Sequence, residues 1–307
     1  ATLEYDSLVL ATGAVSNDFG IPGVAEHALA LKHLDDALAL RAHVLDRFEA
    51  AAADPALVEA GALDVVVCGG GPTGVEMAGG LSELYHRVLA KDFPDLPVSA
   101  ARITLVEMAD RLLSPFAPVS SARALRTLER HGVDVRLGVG VAEVGTDAVT
   151  LSDGSTLRAH TVVWATGVAA EGLAVRTGTP TARGGRLVVE TDLSLPGHPE
   201  VYAIGDLAAS PGPDGGPLPQ VAQPAIQGGR HVARQIVRRL AGQPTEPFAY
   251  RDKGQMATIG RNSAVTELAN GWRFGGFLGW LAWLGLHLLY LMGFRNRFKV
   301  FVDWSWN

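Results

Sequence analysis

The sequence predicts an α/β protein with a parallel sheet, because apolar strand patterns alternate with helical patterns in its central part. The patterns follow one another in the order strand 65–68, helix 74–89, strand 102–106, helix 120–131 and strand 133–137. Strands separated by helices in this way are typical of a parallel sheet with helical crossover connections. The first strand is apolar throughout, which indicates burial on both of its faces.

A glycine-rich turn follows the first strand, with Gly69, Gly71 and Gly74 in the spacing G-x-G-x-x-G. In a dinucleotide-binding turn, Gly69 allows the tight bend, Gly71 lets the backbone approach a pyrophosphate, and Gly74 lets the helix pack against the strand. The pyrophosphate then meets free N–H groups at the positive end of a helix. Because a strand precedes the turn and a helix follows it, the pattern favours a dinucleotide site over a ligand-free glycine turn.

A short internal repeat indicates a second dinucleotide-binding half. Segments 8–14 (LVLATGA) and 162–168 (VVWATGV) are two copies of one apolar strand end. Counting back from Gly13 by the distance that separates Gly69 from Gly167 places the matching glycine turn before residue 1. We therefore expect two Rossmann-like dinucleotide-binding domains, the first of them incomplete in an N-terminally truncated chain.

Composition excludes several classes of protein. Of 307 residues, 48% are hydrophobic and 19% charged, and the net charge is −6, which excludes a disordered chain and a basic nucleic-acid-binding protein. Cys68 is the only cysteine, so the chain has no internal disulfide and no redox-active cysteine pair. We expect no metal site. Period-two patterns after Val141 and over 256–268 predict antiparallel hairpins, or β-meanders, beside the parallel sheets.

The C-terminal part is apolar and rich in tryptophan. Five of the six tryptophans lie from Trp272 onward, and no charged residue occurs between Gly275 and Phe294. At roughly 1.5 Å per residue, a helix over this run is long enough to cross a bilayer. Tryptophans inside the run and basic residues on both sides favour a helix at the membrane interface instead, and a buried core helix is the remaining alternative. The basic residues are Arg273, Arg295, Arg297 and Lys299.

Together these motifs resemble the type II (non-electrogenic, alternative) NADH:quinone oxidoreductases, a family of the two-dinucleotide-binding-domain flavoprotein superfamily. The resemblance covers the whole chain. Its most specific part is segment 222–227 (AQPAIQ), which matches the AQxxxQ quinone signature of that family. The ATG strand ends and the pair Gly205-Asp206 are shared more widely. The AQxxxQ segment and the tryptophan-rich tail argue against a ferredoxin-reductase-like flavoprotein.

The resemblance implies two cofactors, NADH and FAD. Glu107 ends the strand after the glycine turn, where a carboxylate can accept hydrogen bonds from both ribose hydroxyls of NADH. A solvated glutamate is the plainer alternative, and the nearby Arg111 leaves NADPH open. The NADH side comprises Gly69, Gly71, Gly74, Glu107, Thr166 and Gly167. The FAD side comprises Thr12, Gly13, Gly205, Asp206 and Ala222.

The resemblance also implies four residues near the reacting groups. Glu76, which follows Gly74 in the helix, is placed near the contact of nicotinamide with flavin, with a helix-dipole role as the alternative. Gln223 and Gln227 are four residues apart and share a helical face, where neutral amides can hydrogen-bond a quinone carbonyl. Lys253 is placed near the quinone, where it would balance charge or protons, and a surface lysine is the alternative. Asp206 is placed against FAD, although the same pattern fits a simple turn residue.

The implied function is NADH:quinone oxidoreduction in a respiratory chain. A hydride passes from NADH to N5 of FAD, and two electrons then reduce a quinone, without proton pumping. The expected partners are a quinone and the membrane surface, which is contacted through the run from Gly275 to Phe294 and its basic flanks. A homodimer is left open, and nucleic acid is not expected. The expected location is the cytoplasmic face of the cell membrane, as a peripheral, monotopic protein.

Two alternatives to this function remain. The chain is either an NADH-binding fragment that lacks FAD and activity, or a soluble ferredoxin-reductase-like flavoprotein. The expected domains are an FAD-binding remainder over 1–28 and 169–245, an NADH-binding Rossmann domain over 29–168, and a C-terminal hairpin with a membrane anchor over 246–307.

Overall fold

The computed structural model of the chain describes residues 3–213, 215–291 and 293–306, without the side chains of 174, 175, 305 and 306. The side chain of Trp306, one of the tryptophans of the expected membrane contact, therefore lies outside the described part of the structure. The α-helices of the described part are α1 Val24–His27, α2 Leu34–Ala53, α3 Ala56–Glu59, α4 Pro72–Glu83, α5 Ala90–Asp92, α6 Pro118–Arg130, α7 Leu173–Thr177, α8 Ala222–Leu240, α9 Gly276–Tyr290 and α10 Phe294–Trp306. A π-helical turn, Leu84–Leu89, continues α4.

Most strands of the described part are short. They are β1 Leu8–Leu10, β2 Ala14–Ser16, β3 Leu29–Ala30, β4 Val65–Cys68, β5 Ile103–Glu107, β6 Val133–Leu137, β7 Val141–Val144, β8 Ala148–Leu151, β9 Thr156–Arg158, β10 Thr161–Trp164, β11 Val168–Ala170, β12 Thr181–Ala182, β13 Arg186–Leu187, β14 Ser194–Leu195, β15 His198–Ala203, β16 Gln255–Thr258, β17 Ala264–Glu267 and β18 Arg273–Gly275.

Backbone contacts divide the chain into two compact units. The first unit consists of Ala1–Asn17 and Gly167–Lys253, and the second consists of Asp18–Thr166 and Gly254–Asn307. The sequence-based bounds instead give residues 246–307 a segment of their own. The assignment of one domain to FAD and the other to NADH stays a prediction.

The second unit contains the predicted parallel sheet, with strand order β3-β10-β4-β5-β6 and every neighbouring pair parallel. β4 lies at its centre, where Val65 and Val67 pack in one buried cluster and Val66 and Cys68 in another. Alternate residues of a strand point to opposite faces, so β4 is buried on both. This is why its sequence is apolar throughout rather than alternating.

The first long helix begins later than its apolar spacing predicts. The spacing indicates a helix over 27–52, but α2 begins at Leu34. Residues 29–30 form β3 and add an edge to the parallel sheet. The carboxylate of Asp36 accepts a hydrogen bond from the N–H of His33 at 2.7 Å, which stabilises the helix start. Pairing with β10 thus overrides the helical pattern of this stretch.

The C-terminal residues of the second unit pack on the same core as the parallel sheet. β16, β17 and β18 form an antiparallel sheet that includes the hairpin predicted over 256–268. Ile259 and Val265 belong to the buried cluster that also contains Leu81 of α4. A Cβ at Gly79 of α4 would lie 2.9 Å from the carbonyl group of Ile259. This close packing of α4 on the sheet explains why the C-terminal residues join the second unit.

The apolar C-terminal run forms one helix, α9, and a second helix, α10, begins at its last residue. α9 ends at Tyr290, Leu291 is extended with a ψ of 134°, and Gly293 has a φ of +83° before α10 begins at Phe294. Among the helices of residues 3–213, 215–291 and 293–306, none has both the length and the apolar character needed to cross a membrane. The uncharged run therefore does not correspond to one continuous helix.

The first unit has small sheets of its own. β1 pairs in parallel with β15, and β14 pairs with β15 in the antiparallel sense. The strands that follow the two repeated ATG segments, β2 and β11, pair with each other, with Ala14 opposite Ala170. Val232 of α8 packs with Leu193 and Tyr202 in a buried cluster. The internal repeat thus marks two chain segments whose continuations meet in one sheet.

Candidate functional site

The glycine turn lies where β4 meets α4, and its glycines differ in their surroundings. Gly69 has a φ of +107°, and a Cβ there would lie 2.5 Å from the carbonyl oxygen of Ala165. A Cβ at Gly74 would overlap the carbonyl oxygen of Gly69. A Cβ at Gly71, in contrast, would meet no atom within 4 Å. Packing therefore requires Gly69 and Gly74, while the free space at Gly71 suits a ligand that approaches the backbone.

The N-terminus of α4 begins at this turn, with Gly71 as its N-cap residue and Pro72 in its first turn. No side chain of the described residues caps it. The first N–H groups of a helix have no intrahelical partners and carry the positive end of its dipole. A pyrophosphate supplies both the acceptors and the negative charge that such a helix end favours. The turn and the helix end therefore fit a dinucleotide.

Glu107 ends β5 beside the turn, and two backbone donors hold its carboxylate. The N–H of Gly70 donates to Oε2 at 2.5 Å, and the N–H of Ala109 donates to Oε1 at 2.7 Å. Each carboxylate oxygen can accept more than one hydrogen bond, so ribose hydroxyls can still bind. Arg111, the candidate partner of a 2′-phosphate, donates from Nη2 to the carbonyl oxygen of Ser114 at 2.7 Å. The carboxylate is thus well ordered, and its contact with ribose stays a prediction.

Thr166 follows β10 and lies close to the glycine turn. A Cβ at Gly69 would be 2.9 Å from the Cα of Thr166. The hydroxyl oxygen of Thr166 is buried and has no hydrogen-bond partner in the part of the chain that the structure describes. A buried hydroxyl without a partner is costly, so a ligand or a water molecule is expected to bind it. Gly167, the next residue on the expected NADH side, is exposed.

Glu76 lies in α4 and contacts C-terminal residues of the same unit. The N–H of Thr258 donates to Oε1 of Glu76 at 3.1 Å, and the Trp283 side chain donates a further hydrogen bond. Burial raises the pKa of Glu76, and these two hydrogen bonds offset part of the rise because they favour the charged form. Sequence analysis missed both partners, because contacts across such a separation in the chain leave no local pattern.

A second carboxylate that sequence analysis missed joins α6 to the C-terminal sheet. Oε1 of Glu267 accepts hydrogen bonds from the N–H of Ala117 at 2.9 Å and from the hydroxyl of Ser120 at 2.6 Å. Burial alone would raise the pKa of Glu267, but hydrogen bonds from Ser120, Ala117 and Gln255 outweigh it, so the pKa is lowered. Glu267 caps the N-terminus of α6 from another element, and so no capping pattern appears in the local sequence.

The residues expected on the FAD side lie in the first unit. Gly205 has a φ of +67° and begins a 3₁₀ turn that contains Asp206. The main-chain carbonyl of Asp206 accepts a hydrogen bond from Nε2 of Gln220 at 3.0 Å. Thr12 is exposed, and Gly13 has a φ of +79° with no atom within 4 Å of a Cβ placed there. Of the two glycines with positive φ, only Gly13 leaves open space for a ligand, because a Cβ at Gly205 would lie 3.2 Å from the Cβ of Ala225.

A buried arginine near Asp206 was also missed by sequence analysis. Arg186 is 6% exposed, and its Nε and Nη2 both donate to the carbonyl oxygen of Ala208, Nε at 3.0 Å. Burial lowers the pKa of Arg186, and the charge of Asp206 offsets part of this shift. The positive charge becomes buried only in the folded chain, so the sequence around position 186 does not reveal it.

The AQxxxQ segment begins α8, with Ala222 as the first helical residue. The Gln227 amide is bonded in both directions to the backbone of Arg251, with Nε2 donating to the carbonyl oxygen at 2.9 Å and Oε1 accepting from the N–H at 3.0 Å. Oε1 of Gln223 accepts a longer hydrogen bond from Nε2 of Gln227 at 3.4 Å. Gln227 therefore holds the chain two residues before Lys253, whose side chain is exposed.

The outer side of α9 and α10 forms an exposed apolar surface, the C-terminal apolar surface. Its most exposed members are Phe277, Leu278, Leu289, Phe294, Phe298 and Phe301. Phe294 is 84% exposed. Arg295, Arg297 and Lys299 belong to the same α10. A large apolar surface beside basic side chains is typical of a protein that binds a membrane or a partner.

Comparison with known proteins identifies the family. Residues 1–229 match the family model described as pyridine nucleotide-disulphide oxidoreductase, and residues 253–307 match that described as the NDH2 C-terminal domain. The chain is 41% identical to the type II NADH:quinone oxidoreductases Ndh and NdhA of Mycobacterium tuberculosis, over 98% of its own length. It spans about two thirds, 66%, of each of these relatives.

Solved structures show the same fold. The structure of NDH2 from Plasmodium falciparum in complex with NADH matches 98% of this chain and 77% of that chain, with a TM-score of 0.89 and 21% identity. A ferredoxin reductase from Rhodopseudomonas palustris matches 87% of this chain and 59% of that chain, with a TM-score of 0.65 and 26% identity. The family models and the mycobacterial relatives agree with the resemblance carried by the glycine turn and the AQxxxQ segment. The chain therefore belongs to the pyridine nucleotide-disulphide oxidoreductase family and, within it, to the type II NADH:quinone oxidoreductases.

Proposed function

We propose that this chain carries the NADH-binding part, and part of the FAD-binding part, of a membrane-bound NADH:quinone oxidoreductase. The observation that carries the proposal is the glycine turn, where free space at Gly71 and an uncapped α4 lie beside the ordered carboxylate of Glu107. The names of the mycobacterial relatives supply the reaction class. The activity is non-electrogenic, so NADH oxidation drives quinone reduction without proton pumping.

NADH binds with its pyrophosphate at the N-terminus of α4 and its adenosine ribose at Glu107. The N–H groups of the first turn donate to the pyrophosphate, and Gly71 allows their close approach. The Glu107 carboxylate accepts from the ribose hydroxyls and repels a 2′-phosphate, which favours NADH over NADPH. Thr166 is a further NADH-side residue, because its unpartnered hydroxyl can bond the ligand, and Gly167 follows it in the chain.

FAD is the cofactor that the first unit fits in part, through Thr12, Gly13, Gly205, Asp206 and Ala222. The positive φ values of Gly13 and Gly205 and the helix start at Ala222 support this assignment. When bound, FAD supplies the chemistry that accepts a hydride from NADH at N5 and returns two electrons to a quinone. The residues of the chain bind and orient the reactants.

Glu76 is the residue that we place at the nicotinamide. Its carboxylate is held by Thr258 and Trp283, and burial raises its pKa. Gln223, Gln227 and Lys253 are the proposed quinone-side residues, with Gln227 acting through the chain segment that it holds at Arg251.

The protein binds the membrane peripherally through the C-terminal apolar surface. The exposed apolar residues of α9 and α10 enter the interfacial layer, and Arg295, Arg297 and Lys299 remain at the level of the headgroups. We place the protein on the cytoplasmic face of the membrane, where NADH is available. We also propose that it forms a homodimer. A membrane-bound enzyme reaches a quinone that is itself dissolved in the bilayer.

The test of this function uses the full-length enzyme in membrane vesicles. We expect NADH-dependent quinone reduction with no accompanying acidification of either compartment. A Glu76→Gln variant should retain NADH binding but lose about tenfold or more in kcat. Glu143→Gln, which removes an exposed carboxylate of β7, is the matched control and should leave kcat unchanged. A flavin-loaded enzyme that oxidises NADH without reducing any quinone would contradict the proposal.

The two alternatives have separate tests. Flavin absorbance of this chain after expression distinguishes a flavoprotein from an NADH-binding fragment without FAD. Deletion of residues 271–307 distinguishes a membrane-bound oxidoreductase from a soluble ferredoxin-reductase-like protein. We expect the intact chain to require detergent or vesicles and the deleted chain to lose vesicle binding. A chain that stays in solution without either would favour the ferredoxin-reductase-like alternative.

A further inference from the structure

Three arginines on one face of α6 line a surface cavity in the second unit. Arg123, Arg126 and Arg130 are exposed, and together with Glu129 they surround about 580 Å³. The spacing of three and four residues places them on adjacent turns of the helix. The cavity therefore carries an excess of positive charge, although the whole chain has a net charge of −6.

Two of these guanidinium groups are available to a ligand. Among the described residues, Arg123 and Arg126 form no ion pair. Arg130 is partly engaged, with Nε donating to the carbonyl oxygen of Arg126 at 3.1 Å and Nη2 donating to Oγ1 of Thr127 at 3.0 Å. These contacts hold Arg130 along the helix, whereas no ion pair or hydrogen bond within the described part of the chain holds the side chains of Arg123 and Arg126. A planar guanidinium group without an ion-pair partner is well suited to donate two parallel hydrogen bonds to the oxygens of a phosphate.

The cavity lies at the beginning of the C-terminal apolar surface. A Cβ at Gly275 would lie 2.7 Å from Nη1 of Arg123, so the guanidinium lies against the backbone at the N-cap of α9. Phe277 and Leu278, in the first turn of α9, are exposed, and Trp272 is 71% exposed. One arginine therefore contributes both to the basic cavity and to the edge of the apolar surface.

We propose that Arg123 and Arg126 bind the phosphate of an anionic phospholipid headgroup while α9 and α10 lie in the same leaflet. The inference rests on the proposed membrane contact, because only a lipid offers a phosphate and apolar chains side by side. A free nucleotide or phosphate would satisfy the arginines and leave Phe277 and Leu278 in water. The site adds a specific headgroup contact to the apolar side chains and the basic residues of α10 that already face the membrane.

The experiment measures binding of the full chain to two kinds of vesicle, phosphatidylcholine alone and phosphatidylcholine with one third phosphatidylglycerol. We expect the native chain to bind both and to prefer the anionic vesicles. The double variant Arg123→Gln/Arg126→Gln should bind the anionic vesicles about tenfold or more weakly, because each basic residue near an anionic surface contributes substantially to binding. Its binding to phosphatidylcholine should be unchanged.

Two further variants distinguish the loss of the headgroup site from a general loss of positive charge and from misfolding. Arg41→Gln/Arg136→Gln removes the same charge from exposed positions on α2 and β6, and should change anionic binding by less than about threefold. Arg123→Lys/Arg126→Lys should restore most of the preference, which a misfolded variant would not show. An equal loss of binding with the control pair, or no recovery with lysine, would overturn the site.

The outcomes also distinguish the site from the membrane contact itself. If the native chain binds neither kind of vesicle, both the membrane contact and the headgroup site are wrong. If the native chain and the glutamine variant bind both kinds equally, only the headgroup site is wrong. Displacement from anionic vesicles by inorganic phosphate, beyond that by chloride at equal ionic strength, would identify free phosphate as the ligand and overturn the lipid assignment.

Discussion

The starts of α4 and α8 are both expected to meet ligands, but their polar groups are used differently. At α4, no atom lies within 4 Å of a Cβ placed at Gly71, and the carboxylate of Glu107 is ordered beside it. At α8, the Gln227 amide already donates to and accepts from the backbone of Arg251. The first helix start keeps space and hydrogen-bonding capacity for a ligand, whereas the second uses part of that capacity to hold its own chain.

This difference shows why two equally recognisable motifs carry different information. The backbone requires glycine at Gly69 and Gly74, and the role of Gly71 toward a ligand stays a prediction of the same local motif. The glutamines of the second motif share a helical face as predicted, but what they bond depends on residues 24 positions away. A motif of glycines specifies backbone geometry, whereas a motif of amides specifies only which groups are available.

The largest effect is expected at the glycines of the first helix start. Gly74→Val should lower the free energy of unfolding by about 3 kcal/mol or more, because its Cβ would overlap the carbonyl oxygen of Gly69. Gly71→Ala should change it by less than about 1 kcal/mol but weaken NADH binding about tenfold or more. Urea denaturation and NADH titration measure the two effects. Equal destabilisation by both substitutions would contradict a ligand role for Gly71.

Gln227 tests the second helix start. Gln227→Leu should lower the free energy of unfolding by about 1–3 kcal/mol, because the N–H and carbonyl groups of Arg251 lose their partners. Gln223→Leu, with one long hydrogen bond, is the matched control and should cost less than about 1 kcal/mol. Denaturant unfolding of both variants gives the comparison. If the Gln227→Leu variant has native stability and a raised KM for quinone, Gln227 contacts the quinone directly rather than holding the backbone of Arg251.

Substitution of Glu107 tests the preference of the site at the start of α4 for NADH over NADPH. Glu107→Gln should weaken NADH binding about tenfold, because the neutral side chain forms weaker hydrogen bonds with the ribose hydroxyls. It should leave NADPH use unchanged or improved, since repulsion of the 2′-phosphate is removed. The ratio of kcat/KM for the two nucleotides is the measurement. Arg111→Gln is the control, and a larger change there would assign nucleotide preference to the arginine.

Glu267 tests how the C-terminal sheet is joined to the second unit. Glu267→Gln should lower the free energy of unfolding by about 1–2 kcal/mol at pH 7, through the weakened cap of α6 at Ala117 and Ser120. Because the folded-state pKa of Glu267 is lowered, the native carboxylate stabilises the fold above its ordinary pKa. This contribution is lost as the pH falls through the lowered pKa.

The difference between native protein and Glu267→Gln should therefore shrink toward acid pH. Unfolding free energies measured across the acid range provide the check. A difference that stays constant with pH would mean that the glutamate acts through packing rather than through its charge.

The smallest effect is expected at Trp283. Trp283→Phe removes a donor to Glu76 and should raise the pKa of Glu76 further. Because the pKa of Glu76 is higher in the folded chain than in the unfolded chain, the free energy of unfolding declines as the pH rises from the ordinary pKa to the folded-state pKa. The substitution should deepen this decline by about 0.5–1.5 kcal/mol. In a Glu76→Gln background, Trp283→Phe should have no pH-dependent effect on stability. A pH-dependent effect that persists there would contradict the hydrogen bond between Trp283 and Glu76.

Much of the fold could be predicted because its elements are encoded locally. The apolar β4, the third strand over 133–137 and the hairpin over 256–268 are confirmed. Two local patterns were misleading. Residues 29–30 read as helix but pair as an edge strand, and the uncharged C-terminal run is divided at Leu291 and Gly293. In both places the backbone follows contacts or turns that hydrophobic spacing does not describe.

The glycine turn, the alternation of strands and helices and the family motifs could be recognised from the sequence, because each depends on residues that are close in the chain. The groups that hold the functional side chains could be identified only in the packed fold. Thr258 and Trp283 reach Glu76, Glu267 caps α6, and Gln227 is bonded to Arg251. These hydrogen bonds join elements that are distant in sequence, and they form because buried polar groups must find partners wherever the packed chain provides them.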